Sequence, residues 1–246
     1  MMQWVITVVL ALTACATVEP PPPAGVHDTD ALLAMLDERG DELETLTADV
    51  TLTRIDMLSG LETTRSGKLY LDERGDTALF RVSLGDKVEE GNTFPGTATD
   101  FILRGNVLEE RDHGAKRIIY RKLAEEGETV DLFALGTGPL PLPIGQDPVE
   151  VKKVFTIADV ADPAEGPEGL PTLALEPKPE QELSKRFVAV ELWIDPALKM
   201  PRQVIVVGVD DIQTLVLDNV VINQDIAGEN FNIEAPDQAE WEIRDE

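Results

Sequence analysis

The chain has 246 residues, 43% hydrophobic and 28% charged, a balance that supports a buried core and excludes disorder over most of its length. Its 47 acidic residues against 21 basic ones give a formal net charge of -26, which excludes bare nucleic acid as a partner, because phosphate binding needs clustered cations and none are clustered. The acids keep the surface exposed and soluble, and a single cysteine rules out an intramolecular disulfide.

The first feature along the chain is the apolar run Val5-Ile6-Thr7-Val8-Val9-Leu10-Ala11-Leu12. It is far shorter than the roughly 20 residues of a membrane-spanning helix and suits the hydrophobic region of an export signal. Positions 1–11 hold no Lys or Arg, so the terminal amine is the signal's positive charge. Leu12-Thr13-Ala14-Cys15 then has the form of a lipobox. Small residues let a peptidase approach the backbone, and the thiol is the nucleophile for a thioether-linked lipid. The pattern predicts a signal over 1–14 and a covalent lipid on Cys15 as membrane anchor, with no other cofactor. Two or three acyl chains, at about 0.8 kcal/mol per buried methylene, hold such a protein firmly. Ala16 stands where an Asp resembles an inner-membrane retention signal, which predicts an outer-membrane anchor facing the periplasm. Within the linker 15–28, Pro20-Pro21-Pro22-Pro23 reads as a stiff spacer of about 3.1 Å per residue or as a plain linker.

A single domain is expected over 29–246. It opens with a helix over 29–45, capped by Asp28 or Thr29, with Leu32, Leu33, Leu36 and Leu43 on one stripe and Gly40 as an interruption or bend. Leu46, Ala48, Val50 and Leu52 then alternate with polar residues, the period-two pattern of a half-buried antiparallel strand. The apolar phase shifts at Ile55 and Met57, suggesting a bulge. Further strands are expected at 67–71, 78–84, 100–103, 107–111, 116–123, 172–176, 187–194, 201–209, 212–223 and 230–234. Gly75-Asp76, Arg104-Gly105-Asn106 and His113-Gly114 fit tight hairpin connections. Asp147-Pro148-Val149-Glu150 signals a short helix with Val151, Val154 and Phe155 on one face. The segments 161–171 and 177–182 read as loops. Successive hairpins imply one large, strongly curved sheet.

The sequence offers little for catalysis. His27 and His113 are the only histidines and share no metal-ligand spacing. Gly136-Thr137-Gly138 lacks the Gly-Lys-Ser/Thr of a phosphate loop, and there is no Gly-x-Ser-x-Gly elbow. The acidic pairs Glu89-Glu90 and Glu125-Glu126 read as solvated rather than as a carboxylate dyad. The expectation is a protein that is not an enzyme.

Four ordered blocks carry a resemblance: Glu191-Leu192-Trp193-Ile194-Asp195-Pro196; Met200-Pro201-Arg202-Gln203; Leu215-Val216-Leu217-Asp218-Asn219-Val220 with Asn223; and Phe231-Asn232-Ile233-Glu234-Ala235-Pro236. They resemble the final strands of the LolA/LolB family of lipoprotein carriers. Gly67-Lys68-Leu69-Tyr70-Leu71, Phe80-Arg81-Val82 and Asp100-Phe101-Ile102-Leu103-Arg104-Gly105-Asn106 resemble its earlier strands. The resemblance covers about 29–243 and implies a mainly β fold, an incomplete antiparallel β-barrel closed by short α-helices. It further implies acyl chains of lipoproteins or lipids as noncatalytic partners in the cell envelope, shielded on the concave face.

By the same resemblance Arg81 is the inward arginine that hydrogen-bonds the lid, although its context also suits a surface salt bridge. The expected lining residues are Val50, Leu52, Leu69, Leu71, Phe80, Val82, Phe101, Leu103, Trp193, Val206 and Leu217. Filled β cores draw on the same residue types, so the list fits a packed interior equally well. The anchored Cys15 resembles the receptor LolB more than the soluble shuttle; the nearest candidate for that receptor's protruding apolar loop is 138–144. A structural or interaction lipoprotein that keeps the fold without lipid transport is the competing expectation.

Overall fold

A computed structural model of the chain describes residues 28–125, 133, 140–160, 166–233 and 240–245. The signal, Cys15, the proline spacer, His27, Glu126 and Gly136-Thr137-Gly138 lie outside the described residues.

Helix α1 spans Thr29–Glu42 and begins where an Asx cap can form: the Asp28 carboxylate accepts hydrogen bonds from the amides of Asp30 and Ala31 at 3.1 and 3.3 Å. It ends before Thr45, which already belongs to a strand. Gly40 lies within the helix and does not break it. Its role is spatial, since a Cβ there would stand 2.1 Å from the Cα of Gly145.

The strands are β1 (Thr45–Asp56), β2 (Glu62–Asp72), β3 (Leu79–Leu84), β4 (Lys87–Glu89), β5 (Asn92–Phe94), β6 (Thr99–Arg104), β7 (Val107–Asp112) and β8 (Arg117–Lys122). After them come α2 (Pro148–Val154), β9 (Phe155–Ala158), β10 (Thr172–Pro177), β11 (Phe187–Asp195), β12 (Met200–Gly208), β13 (Asp211–Ile222) and β14 (Glu242–Asp245). They form one 14-stranded sheet in the order β14-β8-β7-β6-β3-β2-β1-β13-β12-β11-β10-β9, with the β4-β5 hairpin attached to β2. The sheet is curved and open, with the two helices, as expected of an incomplete LolA-like barrel.

Alternation decides which residues face the helices. Leu46, Val50, Leu69, Leu71, Phe80, Val82, Leu103, Leu192, Leu215 and Leu217 are buried in one core with Leu32, Leu33 and Leu36 of α1. Burying each such side chain contributes about 1.5–3 kcal/mol. This is the inner face. The outer face carries a smaller cluster of Val160, Ala174, Trp193 and Ile205.

Several local expectations are corrected. The phase shift at Ile55 is not a bulge, because β1 and β2 stay in register through Ile55 and Glu62. The register instead shifts between Thr47 and Asp49 opposite β13, where Asn219 adopts a φ of 49°, so the extra residue sits on β13. Of the expected strand at 230–234, residues 230 and 231 belong to a 3-10 turn, Gly228–Phe231, residues 232 and 233 form no strand, and Glu234 lies outside the described residues. The sheet edge is occupied instead by β14, parallel to β8. Short pairings at β4, β5 and β9 carry too few residues for a readable period.

Candidate functional site: an apolar pocket beneath the helices

Among the described residues, three segments cover the inner face, and Phe133 joins the same core. Helix α1 lies across it and is fastened by polar groups. Arg39 Nε donates to the Leu198 carbonyl at 2.9 Å in the β11-β12 turn. Asn223, just past β13, donates to the Glu42 carbonyl at 2.8 Å and accepts from the Glu44 amide at 2.9 Å. Lys199 Nζ reaches Glu38 at 2.7 Å and Glu42 at 3.3 Å. The hydrogen bond from Lys199 holds the Glu38 carboxyl below its ordinary range, and the two glutamates raise Lys199 in turn.

The second cover is α2. The Asp147 side chain accepts from the Val149 amide at 2.7 Å and Pro148 opens the helix, as the sequence predicts. No residue of α2 is fully buried; Val151 and Val154 pack against the core from its edge. Lys152 meets Asp30 of α1 at 2.7 Å.

The third cover is the strap of residues 140–144, in which Leu140, Leu142 and Ile144 are 2%, 0% and 2% exposed. The strap runs into Gly145, whose amide donates to the Leu36 carbonyl at 3.0 Å. Its close approach to Gly40 leaves no room for a Cβ on that residue, while Gly145 itself adopts a φ of 69° that favours glycine. A protruding apolar loop here is therefore corrected: these leucines point into the core. Among the described residues the most exposed large apolar side chain is Leu58, 97% exposed in the β1-β2 turn. The Asp56 carboxylate organises that turn by accepting from the amides of Leu58 and Ser59 at 3.1 and 2.7 Å.

Between these covers and the sheet lies a pocket of about 180 Å³. Leu33 and Leu36 of α1, Val151 and Val154 of α2, Phe155 and Leu175 of β9 and β10, Leu192 of β11, and Leu183 form its apolar wall. Pro143 of the strap belongs to the same wall, and Gln146 and Glu150 supply its polar groups. The volume exceeds the roughly 150 Å³ of an apolar cavity that accepts benzene. It is smaller than the roughly 300–1,000 Å³ of a typical small-molecule site.

None of the eleven residues expected from the sequence lines this pocket. Val50, Leu69, Leu71, Phe80, Val82, Leu103, Val206 and Leu217 are buried core residues, and Leu52 and Phe101 pack against them. Trp193 is corrected more sharply: it faces outward, because Leu192 and Ile194 on either side take the inner face. Its indole lies so close over Gly166 that a Cβ there would stand 2.2 Å from the ring.

Arg81 is likewise outward, between inward Phe80 and Val82. Its Nε donates to Ser83 Oγ at 2.9 Å and its guanidinium to the Asn230 carbonyl at 2.8 Å. It ties the C-terminal 3-10 turn to the sheet and points away from both helices. Beyond it, Ser83 donates to Asp100, which also meets His113 Nε2 at 2.9 Å. The carboxylate stands between serine and histidine, whereas a nucleophilic triad places the imidazole in the middle. The pocket residues missed by the sequence list sit on elements the sequence does reveal: Leu33 and Leu36 on the helical stripe, Val151 and Val154 on the capped helix.

No family model matches the chain, and no curated protein matches it. Among solved structures, MucB is similar with a TM-score of 0.50 and 13% identity, covering 85% of this chain and 63% of MucB. MucB has also been solved in complex with MucA of Pseudomonas aeruginosa. An uncharacterized conserved protein from Thermus thermophilus gives a TM-score of 0.47 at 11% identity, covering 89% of this chain and 99% of its own. A putative outer membrane lipoprotein-sorting protein domain from Vibrio parahaemolyticus gives 0.38 at 12% identity, covering 81% and 95%. At 13% identity the likeness to MucB is one of fold.

Proposed function

We propose that this chain is a noncatalytic envelope lipoprotein that binds or sorts acylated lipoproteins, anchored through lipid on Cys15 and facing the periplasm from the outer membrane. The observation that carries the reading is the apolar pocket between α1, α2 and β9 to β11. A curved sheet with a leucine-rich recess under short helices can remove part of an acyl chain from water, at about 0.8 kcal/mol per methylene. The few polar groups at the recess suit a ligand whose head remains in solvent.

Native mass spectrometry tests this directly. The protein extracted from membranes is expected to retain or exchange a dipalmitoylated lipopeptide; absence of any bound or exchangeable acyl ligand would sink the carrier reading. The anchor has a separate test. Cys15→Ala is expected to move the protein into the soluble fraction, and continued membrane attachment would refute lipidation at that position.

One observation favours the rival reading, an interaction lipoprotein that keeps the fold without transport. Leu46, Leu69, Leu71, Val82, Leu192 and Leu215 are all 0% exposed, so most of the concave face is filled. Failure to bind any acyl probe selects this rival.

A further inference from the structure

The strap at residues 140–144 fills the inner face in an unusual way. Leu140, Leu142 and Ile144 belong to the same core as the β1, β2 and β3 interior, yet the strap forms no ladder with any strand among the described residues. The backbone hydrogen bonds described for it are the Leu142 amide to the Leu140 carbonyl, inside the strap, and the Gly145 amide to Leu36 at its end. Pro141 and Pro143 have no N–H to donate. Its side chains are aliphatic, and Pro143 forms one wall of the 180 Å³ pocket.

These features make the strap exchangeable. A methylene of an acyl chain gains about as much from this space as a methylene of leucine or isoleucine does. Lifting the strap breaks no strand pairing among the described residues, and its carbonyls would pass to water. Lifting α1 would instead strip partners from Arg39, Asn223 and Lys199. The pocket, too small for a full acyl chain, would widen along the wall that Pro143 now closes.

We infer that residues 140–144 are an intramolecular plug in the chain's own acyl site, and that a long aliphatic chain loads by taking the place of Leu140, Leu142 and Ile144 against the sheet. This rests on the acyl-binding reading above and adds where the chain lies and what it displaces. Because the protein is strongly acidic and Glu150, paired with Lys153, stands at the pocket, an anionic head is disfavoured, and the probe chosen carries an uncharged one.

The test uses the full chain carrying Cys15→Ala, so that an introduced thiol is the only one. Leu142→Cys and, separately, Leu140→Cys report on the strap, and Val50→Cys, on β1, reports on global opening. Each is labelled with a maleimide with and without a long-chain monoacylglycerol, and binding is read in parallel by native mass spectrometry.

The expected result is that bound monoacylglycerol accelerates labelling of the strap thiols by at least about tenfold, the shift expected when a mostly closed equilibrium is opened, while Val50→Cys stays protected. Binding with unchanged strap labelling overturns the plug and leaves acyl binding standing. Binding by neither these variants nor the unsubstituted chain overturns both. Should the cysteine variants fail to fold, Leu142→Ala supplies the second readout: about tenfold tighter binding supports the plug, and unaltered or weaker binding overturns it.

Discussion

Helix α1 and the strap at 140–144 cover the same concave surface, and they are held there by different physics. The helix buries Leu32, Leu33 and Leu36 and is also pinned at its C-terminal end by Arg39, Asn223 and the Lys199 ion pairs. The strap buries Leu140, Leu142 and Ile144 to the same degree, but among the described residues its backbone bonds are its own turn and the Gly145 amide. Equal burial therefore does not mean equal permanence. Apolar contact is non-directional and can be replaced by any apolar guest, whereas a buried carbonyl or guanidinium that loses its partner costs about 1–3 kcal/mol.

Substitutions can break or sharpen this contrast. The largest effect is expected at Leu142, fully buried in the core. Leu142→Ala should lose about 2–5 kcal/mol of stability in the empty protein, measured by denaturant unfolding, and recover part of it when monoacylglycerol is added. A loss that ligand does not restore would make the strap ordinary core, no different from α1.

Gly40→Ala comes next and acts where the two covers touch. Helix propensity alone would favour alanine by about 1 kcal/mol. The new Cβ, however, would stand 2.1 Å from the Gly145 backbone, and overpacking of that kind costs about 1–3 kcal/mol. The clash should win, giving a lower unfolding midpoint and a strap displaced from the helix. A more stable Gly40→Ala protein would show that the strap yields freely even at its hinge.

Arg39→Met tests the polar fastening of α1. Its guanidinium is nearly buried and donates to the Leu198 carbonyl at 2.9 Å, so about 1–2 kcal/mol should be lost, with acyl binding unchanged if α1 stays put during loading. The smallest effect is expected from Lys199→Met, because its ion pairs are exposed and screened. The Glu38 carboxyl is lowered by Lys199, so its contribution is present at neutral pH and lost as pH falls through the carboxylate range. Thermal midpoints of wild type and Lys199→Met should therefore converge on acidification. A difference that persists at low pH would assign Lys199 a packing role instead.

Much of the architecture was legible without coordinates. Alternation at Leu46, Ala48, Val50 and Leu52 placed those side chains on one face because a strand has only two faces. Asp28 and Asp147 marked helix starts because a cap is a local hydrogen bond. Gly105, with a φ of 66° in the β6-β7 turn, closed its hairpin for an equally local reason.

What the tertiary structure alone decided was the meaning of those faces. Arg81 and Trp193 sit in apolar strands that read as inward, yet period two fixes only that neighbours diverge, and the faces of β3 and β11 are set by partners far along the chain. Leu140, Leu142 and Ile144 in a proline frame suit a protruding loop and a buried strap alike, since composition records hydrophobicity and not what lies above it. The parallel pairing of β14 with β8 joins residues more than a hundred positions apart, and no local pattern encodes such a closure. The sequence determined a curved β sheet with capped helices, because backbone hydrogen bonds and alternation are short-range. Which side chains fill the concave face was settled only by long-range packing.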